Sequence, residues 1–213
     1  HPALARAVSE LSYDGELASA PVTASRALEG VAPGVYPVPV VHAGNAVASP
    51  EEAAAVVRIV RDTIGRTWTC HDDGAAVTRP LTAADVIVVT PYNGQQVEVE
   101  NALDAAGLSG IRVGTVDKFQ GQEAVVAIVS LAASSGREAP RGLEFLLLQN
   151  RLNVAVSRAQ FAAYVVFSPD LLDDLPRTPE GVARLSAFAR LVGEDEPSPA
   201  PAMGMRTGHP GEV

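Results

Sequence analysis

A short polar segment, DKFQGQE at residues 117–123, separates two apolar stretches in the middle of the chain. Ile111, Val113 and Val116 before it favour a strand, and an apolar run resumes at Val125. In open α/β sheets ligands bind beyond the carboxyl ends of the strands, so we expect this loop to lie at that edge. The segment is either a binding loop or a plain polar connection, and its residue types alone leave both open.

A second polar segment, RLNVAVSRAQ at residues 151–160, makes the pattern recognisable. VGTVDKFQGQEA and NRLNVAVSRAQ together resemble motifs V and VI of superfamily 1 helicases, in the branch that includes the nonsense-mediated-decay helicase and bacterial relatives fused to nuclease domains. Three further segments resemble the same branch in the same order: the end and sequel of its QxRMHP motif (His1, Pro2 and SYDGEL at 12–17), motif IV (VIVVTPYNGQ at 86–95) and the linker of the bacterial members (APRGLEFL at 139–146). The ordered set makes the resemblance specific over most of residues 1–168.

The resemblance implies that Arg158 is an arginine finger, a guanidinium that reaches a nucleotide across a domain interface. In other NTPases such fingers contribute roughly 10³ to 10⁵ in rate, because they stabilise the charge that spreads over the γ-phosphate. The alternative for Arg158 is a surface salt bridge. The ATP-binding residues that the family implies are Gln120, Gly121, Glu123 and Arg151.

Two of these residues are of types that suit contact with a nucleotide, and the neighbouring Gln122 departs from the family. Glycine at 121 lets the backbone approach the nucleotide closely, and Glu123 is suited to accept a hydrogen bond from a ribose hydroxyl. Gln122 stands where relatives such as the decay helicase often carry arginine, so any charge contact made by that arginine is lost here.

The resemblance also implies contacts to single-stranded nucleic acid, from Pro91, Tyr92, Asn93, Thr115 and Asn153. The hydroxyl of Thr115 suits a backbone phosphate, which is a contact independent of sequence. Tyr92 either offers its ring to a base or sugar or packs the following helix onto the sheet, and both remain open. Arg151 and Asn153 either brace their helix or touch the loop at 120–123.

The chain has no GxxxxGK[ST] phosphate loop, and its one lysine, Lys118, lies in VDKFQGQ. We therefore expect no ATP hydrolysis by this chain alone, and expect ATP and Mg²⁺ to bind at its interface with a first RecA-like domain that carries the Walker motifs. The net charge of −9 and the pI near 4.9 argue against a broad basic surface for nucleic acid. Contact with nucleic acid must therefore be local.

Cys70, His71 and two aspartates lie close together, but zinc sites usually need two spaced pairs of ligands and no second pair is present. We predict no metal site and a solvated turn around residues 72–74. No apolar run is long enough for a membrane span and no signal peptide is evident, so a soluble cytoplasmic protein is expected. The opening His1 suggests an excerpt of a longer polypeptide.

Strands near residues 36, 86, 112, 125 and 162, separated by helices, predict an α/β fold with one parallel sheet sandwiched by helices. The resemblance identifies it as the second RecA-like domain of a helicase, of the P-loop NTPase type but without its own Walker A loop. We expect this domain to span 1–192, with an irregular lead-in at 1–35. Residues 193–213 have the composition of a disordered tail or linker.

Local signals place the helices. Ser49, Pro50 and Glu52 predict a helix start, with an apolar face that contains Val56 and Val60 and a stop at Gly65. Two more helices are predicted, from Asn93 to about Ala106 and from Pro179 through Arg190. Residues 66–84 stay ambiguous, and the small, polar stretch 131–141 is predicted to be flexible.

The expected function is the second motor domain of an ATP-dependent helicase or translocase that moves 5′ to 3′ on single-stranded DNA or RNA. Its partners would be the first RecA-like domain of the same polypeptide, the strand and, by analogy with the bacterial relatives, a nuclease domain. The alternative is a non-catalytic interaction module. Retention of Gln120, Glu123 and Arg158 together favours the motor, whereas the choice between DNA and RNA depends on loop geometry.

Overall fold

The computed structural model describes residues 1, 2, 4, 24–72, 75–119, 121–147, 152, 154 and 156–193. Several predictions concern residues outside these ranges: Gln120, Arg151, Asn153, the SYDGEL segment, the turn at 73–74 and the tail beyond 193.

Helix α1 (Pro50–Thr63) begins where its sequence predicts. The Ser49 hydroxyl accepts a hydrogen bond from the backbone N–H of Glu52 at 3.1 Å, and Pro50 occupies the first helical position, where its missing N–H costs nothing. The helix ends before Gly65, whose φ of 84° is strained for any residue with a Cβ. The predicted start and stop are confirmed.

Five strands form one parallel sheet, in the spatial order β2 (Gly34–Pro39), β8 (Ala159–Phe167), β7 (Ala124–Ser130), β5 (Val86–Thr90) and β6 (Arg112–Thr115). All four pairings are parallel, so the carboxyl ends of the strands share one edge of the sheet and the amino ends share the opposite edge. We call these the carboxyl edge and the amino edge. The five predicted strand positions and the α/β fold are confirmed.

Helices cover both faces of this sheet. On one face α1 and α2 (Asn93–Ala105) bury residues such as Val56 and Val99 against the strands. On the other face lie α3 (Gly142–Leu146) and α4 (Pro179–Gly193), with Leu143 and Phe188 in the core. Because both faces are covered, β5 and β7 are buried along their whole length and read as continuous apolar runs.

A second, antiparallel sheet occupies the region that the sequence left ambiguous. Strand β3 (Thr67–Asp72) pairs with β4 (Ala75–Pro80), and the short β1 (Ala27–Leu28) pairs with the other side of β3. Trp68 anchors this sheet in the core, with its ring edge-to-face on Phe161 at 5.5 Å between centroids. The predicted irregular lead-in at 1–35 therefore contains β1 and the start of β2, which is a correction.

The segment that follows β7 is buried, so the prediction of a flexible loop at 131–141 was wrong for its first four residues. Leu131 to Ser134 are at most 2% exposed. Ala132 has a φ of 69°, and Ser134 exchanges two hydrogen bonds with the backbone of Asn45, at 2.9 and 3.0 Å. The small side chains here allow close packing against the loop before α1.

Two absences apply only to the part of the chain that the structure describes. There, no helix is both long and apolar enough to cross a membrane. In the same ranges no three His, Cys, Asp or Glu residues come close enough together to hold a metal ion. His71 instead lies on β3, with Nδ1 2.8 Å from the Ser25 hydroxyl.

Candidate functional site

Two predicted ATP-site residues stand side by side at the amino edge. Glu123 immediately precedes β7 and Arg158 immediately precedes β8, and the backbone N–H of Ala124 donates to the carbonyl of Arg158 at 2.9 Å. Gly121 lies two residues before Glu123, exposed and with a φ of 74°. The sheet register itself therefore brings the two predicted segments together.

The side chain of Arg158 is half-buried and partly fixed. Its Nε donates to the carbonyl of Val154 at 3.1 Å, which holds the arginine along the preceding helical turn. Among the residues that the structure describes, no carboxylate lies within ion-pair distance of Arg158. The salt-bridge alternative thus finds no partner in these ranges, and the role of Arg158 stays a prediction.

Glu123 and Gln122 have different surroundings, although both are exposed. One carboxylate oxygen of Glu123 accepts a hydrogen bond from Nε2 of Gln160 at 3.2 Å. Gln122 accepts from the Arg112 guanidinium at 2.9 Å and donates to the carbonyl of Lys118 at 3.0 Å. Gln122 therefore braces the loop against the start of β6, which gives position 122 a structural contact that the sequence had not indicated.

The predicted strand-binding residues lie at the opposite, carboxyl edge. Thr90 at the end of β5 is paired in register with Thr115 at the end of β6. Pro91 follows directly, and the exposed Asn93 is the first residue of α2. Thr115 is half-exposed, so its hydroxyl shares this edge with the 91–93 turn.

Tyr92 belongs to the core rather than to the surface. It is 9% exposed, and its ring stacks on Phe145 with 5.8 Å between centroids. Of the two alternatives for Tyr92, the structure favours packing, in this case against α3 on the other face of the sheet. As contacts to a strand, Pro91, Tyr92 and Asn93 all stay predictions.

We expected the loop at 117–123 to lie at the carboxyl edge. It instead crosses the sheet from one edge to the other. It leaves β6 at Thr115 as a 3₁₀ turn (Val116–Phe119) and reaches the amino edge before Ala124. Phe119 is 1% exposed and anchors the middle of the loop in the core. The prediction holds for the start of the loop, which follows the carboxyl end of β6, and fails for Gly121 and Glu123, which lie at the amino edge.

A buried polar network that was not predicted from the sequence supports the carboxyl edge. Glu52 on α1 is fully buried at its centre. Its Oε2 accepts from the hydroxyl of Ser130 at 2.6 Å and from the backbone N–H of Ala132 at 3.0 Å. Its Oε1 lies 3.1 Å from Nε2 of His42, whose Nδ1 is 2.7 Å from the Ser134 hydroxyl. Glu52 thus joins α1, the end of β7 and the loop after β2.

Gln95 extends this network to α2. Fully buried, it accepts a hydrogen bond from the N–H of Ser49 at 2.6 Å and donates to the Ser130 hydroxyl at 2.8 Å. Since Gln95 lies in the first turn of α2, two residues after Asn93, the network fixes the helix turn that carries the 91–93 segment.

One sequence signal pointed to Glu52. It precedes Val56 by four residues and Val60 by eight, so the three share the buried face of α1. A carboxylate on that face requires buried hydrogen-bond donors, which the distant Ser130 and Ala132 supply.

A comparison with known protein families now bears on this arrangement. The profile of a family described as an AAA domain matches residues 1–170, which include both edges of the sheet. The chain belongs to this AAA domain family. The match ends just after β8, so α4 lies beyond the matched part of the AAA domain.

Curated relatives agree with the resemblance seen in the motifs. Human "3'-5' exoribonuclease HELZ2" is 35% identical over 127 residues, covering 54% of this chain and 4% of that protein. The "Regulator of nonsense transcripts 1 homolog" of Neurospora crassa is 28% identical over 192 residues, covering 81% of this chain and 16% of that protein. Mouse "RNA helicase Mov10l1" is 30% identical over 127 residues, covering 58% of this chain and 10% of that protein.

These similarities confirm homology to superfamily 1 helicases at the level of the family. The AAA domain spans only a small part of each relative, at most 16% of the length of these three.

Proposed function

We propose that this AAA domain is the second motor domain of an ATP-dependent superfamily 1 helicase or translocase. ATP and Mg²⁺ would bind between its amino edge and a first RecA-like domain of the same polypeptide. Single-stranded nucleic acid would run along the carboxyl edge. The observation that carries the proposal is the adjacency of Glu123 and Arg158 at one edge of the sheet, in a chain that has no phosphate loop of its own.

At the amino edge, Arg158 would supply the finger. Its guanidinium would donate hydrogen bonds to the γ-phosphate as negative charge builds up there, and its bond to Val154 would limit the freedom lost on closure. Glu123 would accept from a ribose hydroxyl, and the backbone at Gly121 would lie against the nucleotide. Gln120 and Arg151 are proposed for the same site on the family resemblance alone.

At the carboxyl edge, the Thr115 hydroxyl and the polar turn around Pro91 and Asn93 would hold the strand through its backbone. Such contacts are independent of sequence, as a motor that moves along a strand requires. Asn153 is proposed for this contact from the resemblance. Closure of the two motor domains at the amino edge would then be coupled through the rigid sheet to the grip at the opposite edge.

The test is strand-stimulated ATP hydrolysis by the intact polypeptide, with single-stranded DNA and RNA compared. We expect Arg158→Ala to lower kcat by roughly 10³-fold, within the range for fingers, with nucleotide binding largely kept. Arg58→Ala, at an exposed position of α1, is the matched control and should leave kcat unchanged.

Two results would contradict the proposal in different ways. Equal turnover by the wild type and Arg158→Ala would remove the finger assignment. Absence of hydrolysis with either nucleic acid would favour a non-catalytic interaction module, which binds a strand or a protein without turnover.

A further inference from the structure

An open cleft of about 480 Å³ lies beside the carboxyl edge, on the face that α3 and α4 cover. One wall is the segment before and within α3, which follows β7, and the other is the segment at 173–177, which follows β8. Three arginines line it, Arg137, Arg141 and Arg177, and we call it the arginine cleft. All three are exposed.

The cleft also contains carboxylates, but two of the three are engaged within the protein. Asp174 accepts from the backbone N–H of Gly136 and lies 3.9 Å from the Arg137 guanidinium. Glu144 accepts from the Thr178 hydroxyl at 2.7 Å and pairs with Arg184 at 3.5 Å. Asp173 is the third and is exposed. The three arginines and three carboxylates of the lining balance in charge, but among the described residues no carboxylate lies within ion-pair distance of Arg141 or Arg177.

One arginine is held in a geometry suited to nucleic acid. The Arg141 guanidinium carbon lies 4.3 Å from the centroid of the Phe145 ring, and Phe145 in turn stacks on Tyr92. A guanidinium on an aromatic ring keeps its planar fork of donors for a phosphate. The stack therefore links the arginine cleft directly to the 91–93 turn.

The overall charge makes this cluster notable. The chain carries a net charge of −9 with 16 basic residues, so any contact with phosphates must use a local group of arginines. The arginine cleft gathers three of the 16 next to the edge where Pro91, Asn93 and Thr115 lie.

We propose that the arginine cleft binds the phosphodiester backbone of the single strand where it continues past the 91–93 turn, with Arg141 and Arg177 each contacting a phosphate. This proposal rests on the proposed function, because it extends the strand path of the same motor domain. It adds a binding site on the α3–α4 side of the edge that the motif residues do not include.

The test measures binding of a short fluorescein-labelled single strand to the intact polypeptide over a series of KCl concentrations. The double variant Arg141→Ala/Arg177→Ala should bind about tenfold more weakly, and its salt slope should fall by about 1.4, since each lost phosphate contact on a single strand contributes roughly 0.7. Arg58→Ala is the control, and the thermal unfolding midpoint checks that each variant is folded. Inorganic phosphate at constant ionic strength should not displace the strand.

An affinity within twofold of the wild type, with an unchanged slope, would overturn the proposal, and displacement by inorganic phosphate would reassign the cleft to a free anion. Neither result touches the motor assignment, which stands as long as the wild type shows strand-stimulated ATP hydrolysis. If the wild type neither binds a strand nor hydrolyses ATP, the proposed function and this site fail together.

Discussion

The two edges of the sheet hold their polar side chains in opposite ways. At the carboxyl edge Glu52, Gln95 and Ser130 are fully buried and bonded to one another. At the amino edge Glu123 and Arg158 reach solvent, and within the described residues each side chain makes one hydrogen bond. The carboxyl edge is completed inside the domain, whereas the amino edge leaves polar groups available to a second surface, as the proposed function requires. Substitution of the buried carboxyl-edge residues should therefore mainly lower stability, and substitution of Glu123 or Arg158 at the amino edge should mainly lower turnover.

The largest expected effect lies at the amino edge. Arg158→Ala should change the free energy of unfolding by less than about 0.5 kcal/mol while it lowers strand-stimulated kcat by roughly 10³-fold. The reason is that Arg158 bonds a single carbonyl in the described structure. Urea unfolding beside the ATPase assay measures both quantities. A loss of more than about 2 kcal/mol in stability would contradict the difference between the two edges, because Arg158 would then be a structural residue.

At the carboxyl edge, Glu52→Ala should lower the free energy of unfolding by about 3 kcal/mol or more. It leaves the Ser130 hydroxyl, the Ala132 N–H and the His42 ring without their buried acceptor. The neighbouring Glu51→Ala is the control, since Glu51 is exposed and its loss should cost less than about 1 kcal/mol. Equal effects of the two changes in urea unfolding would show that the network adds little.

A smaller effect is expected where α2 meets the loop before α1. A Cβ at Gly94 would lie 2.9 Å from the carbonyl oxygen of Val47 and 3.2 Å from its Cγ2. Alanine is the better helix former by up to about 1 kcal/mol, but this crowding should outweigh it, so we expect Gly94→Ala to destabilise by about 1 kcal/mol.

The control for this prediction is Gly193→Ala, at the end of α4, where a Cβ would meet open space. That change should be neutral or slightly stabilising. If Gly94→Ala raised the unfolding midpoint instead, the loop before α1 would have to yield easily, and the carboxyl edge would be less rigid than its network implies.

A further effect concerns pH at the amino edge. Burial raises the pKa of Asp85, but hydrogen bonds from the Arg79 guanidinium and from Thr82 outweigh it and lower the pKa from 3.8 to about 2. A folded-state pKa below the unfolded one gives stability that is present above the unfolded value and is lost as the pH falls toward 2. Asp85→Asn should therefore weaken the fall in stability between about pH 4 and pH 2.

Unfolding in urea at a series of pH values measures this change, with Asp104→Asn on the exposed side of α2 as the control. An unaltered pH profile in Asp85→Asn would mean that the pair with Arg79, at 2.6 Å in the structure, does not persist in solution.

Local patterns were enough to predict most of the fold. Continuous apolar runs marked β5 and β7, and Ser49 with Pro50 marked the start of α1. Strand β4 was missed because it is exposed throughout and carries no apolar alternation, so that its pairing with β3 determines its conformation. The burial of Tyr92 could not be predicted either, because it depends on Phe145, which is far away in sequence.

The residues of the candidate site were predicted from the sequence, but their division between the two edges of the sheet was not. The amino-edge position of Glu123 was available from the parallel sheet alone, since each connection leaves at the carboxyl edge and must return to the amino edge. The network around Glu52 was not available, because its partners His42 and Ser130 come from other elements. Its four-residue spacing from Val56 is compatible with burial, but that spacing does not identify what would compensate the carboxylate.

Lys118 is the only lysine of the chain, and it lies in the loop that joins the two edges of the sheet. Its Nζ donates to the carbonyl of Val113 at 2.7 Å, and its aliphatic part covers Gly114. The side chain therefore holds the start of the loop that joins the two edges against strand β6. Enzymes that acetylate or ubiquitinate lysine side chains therefore have a single target residue in this domain.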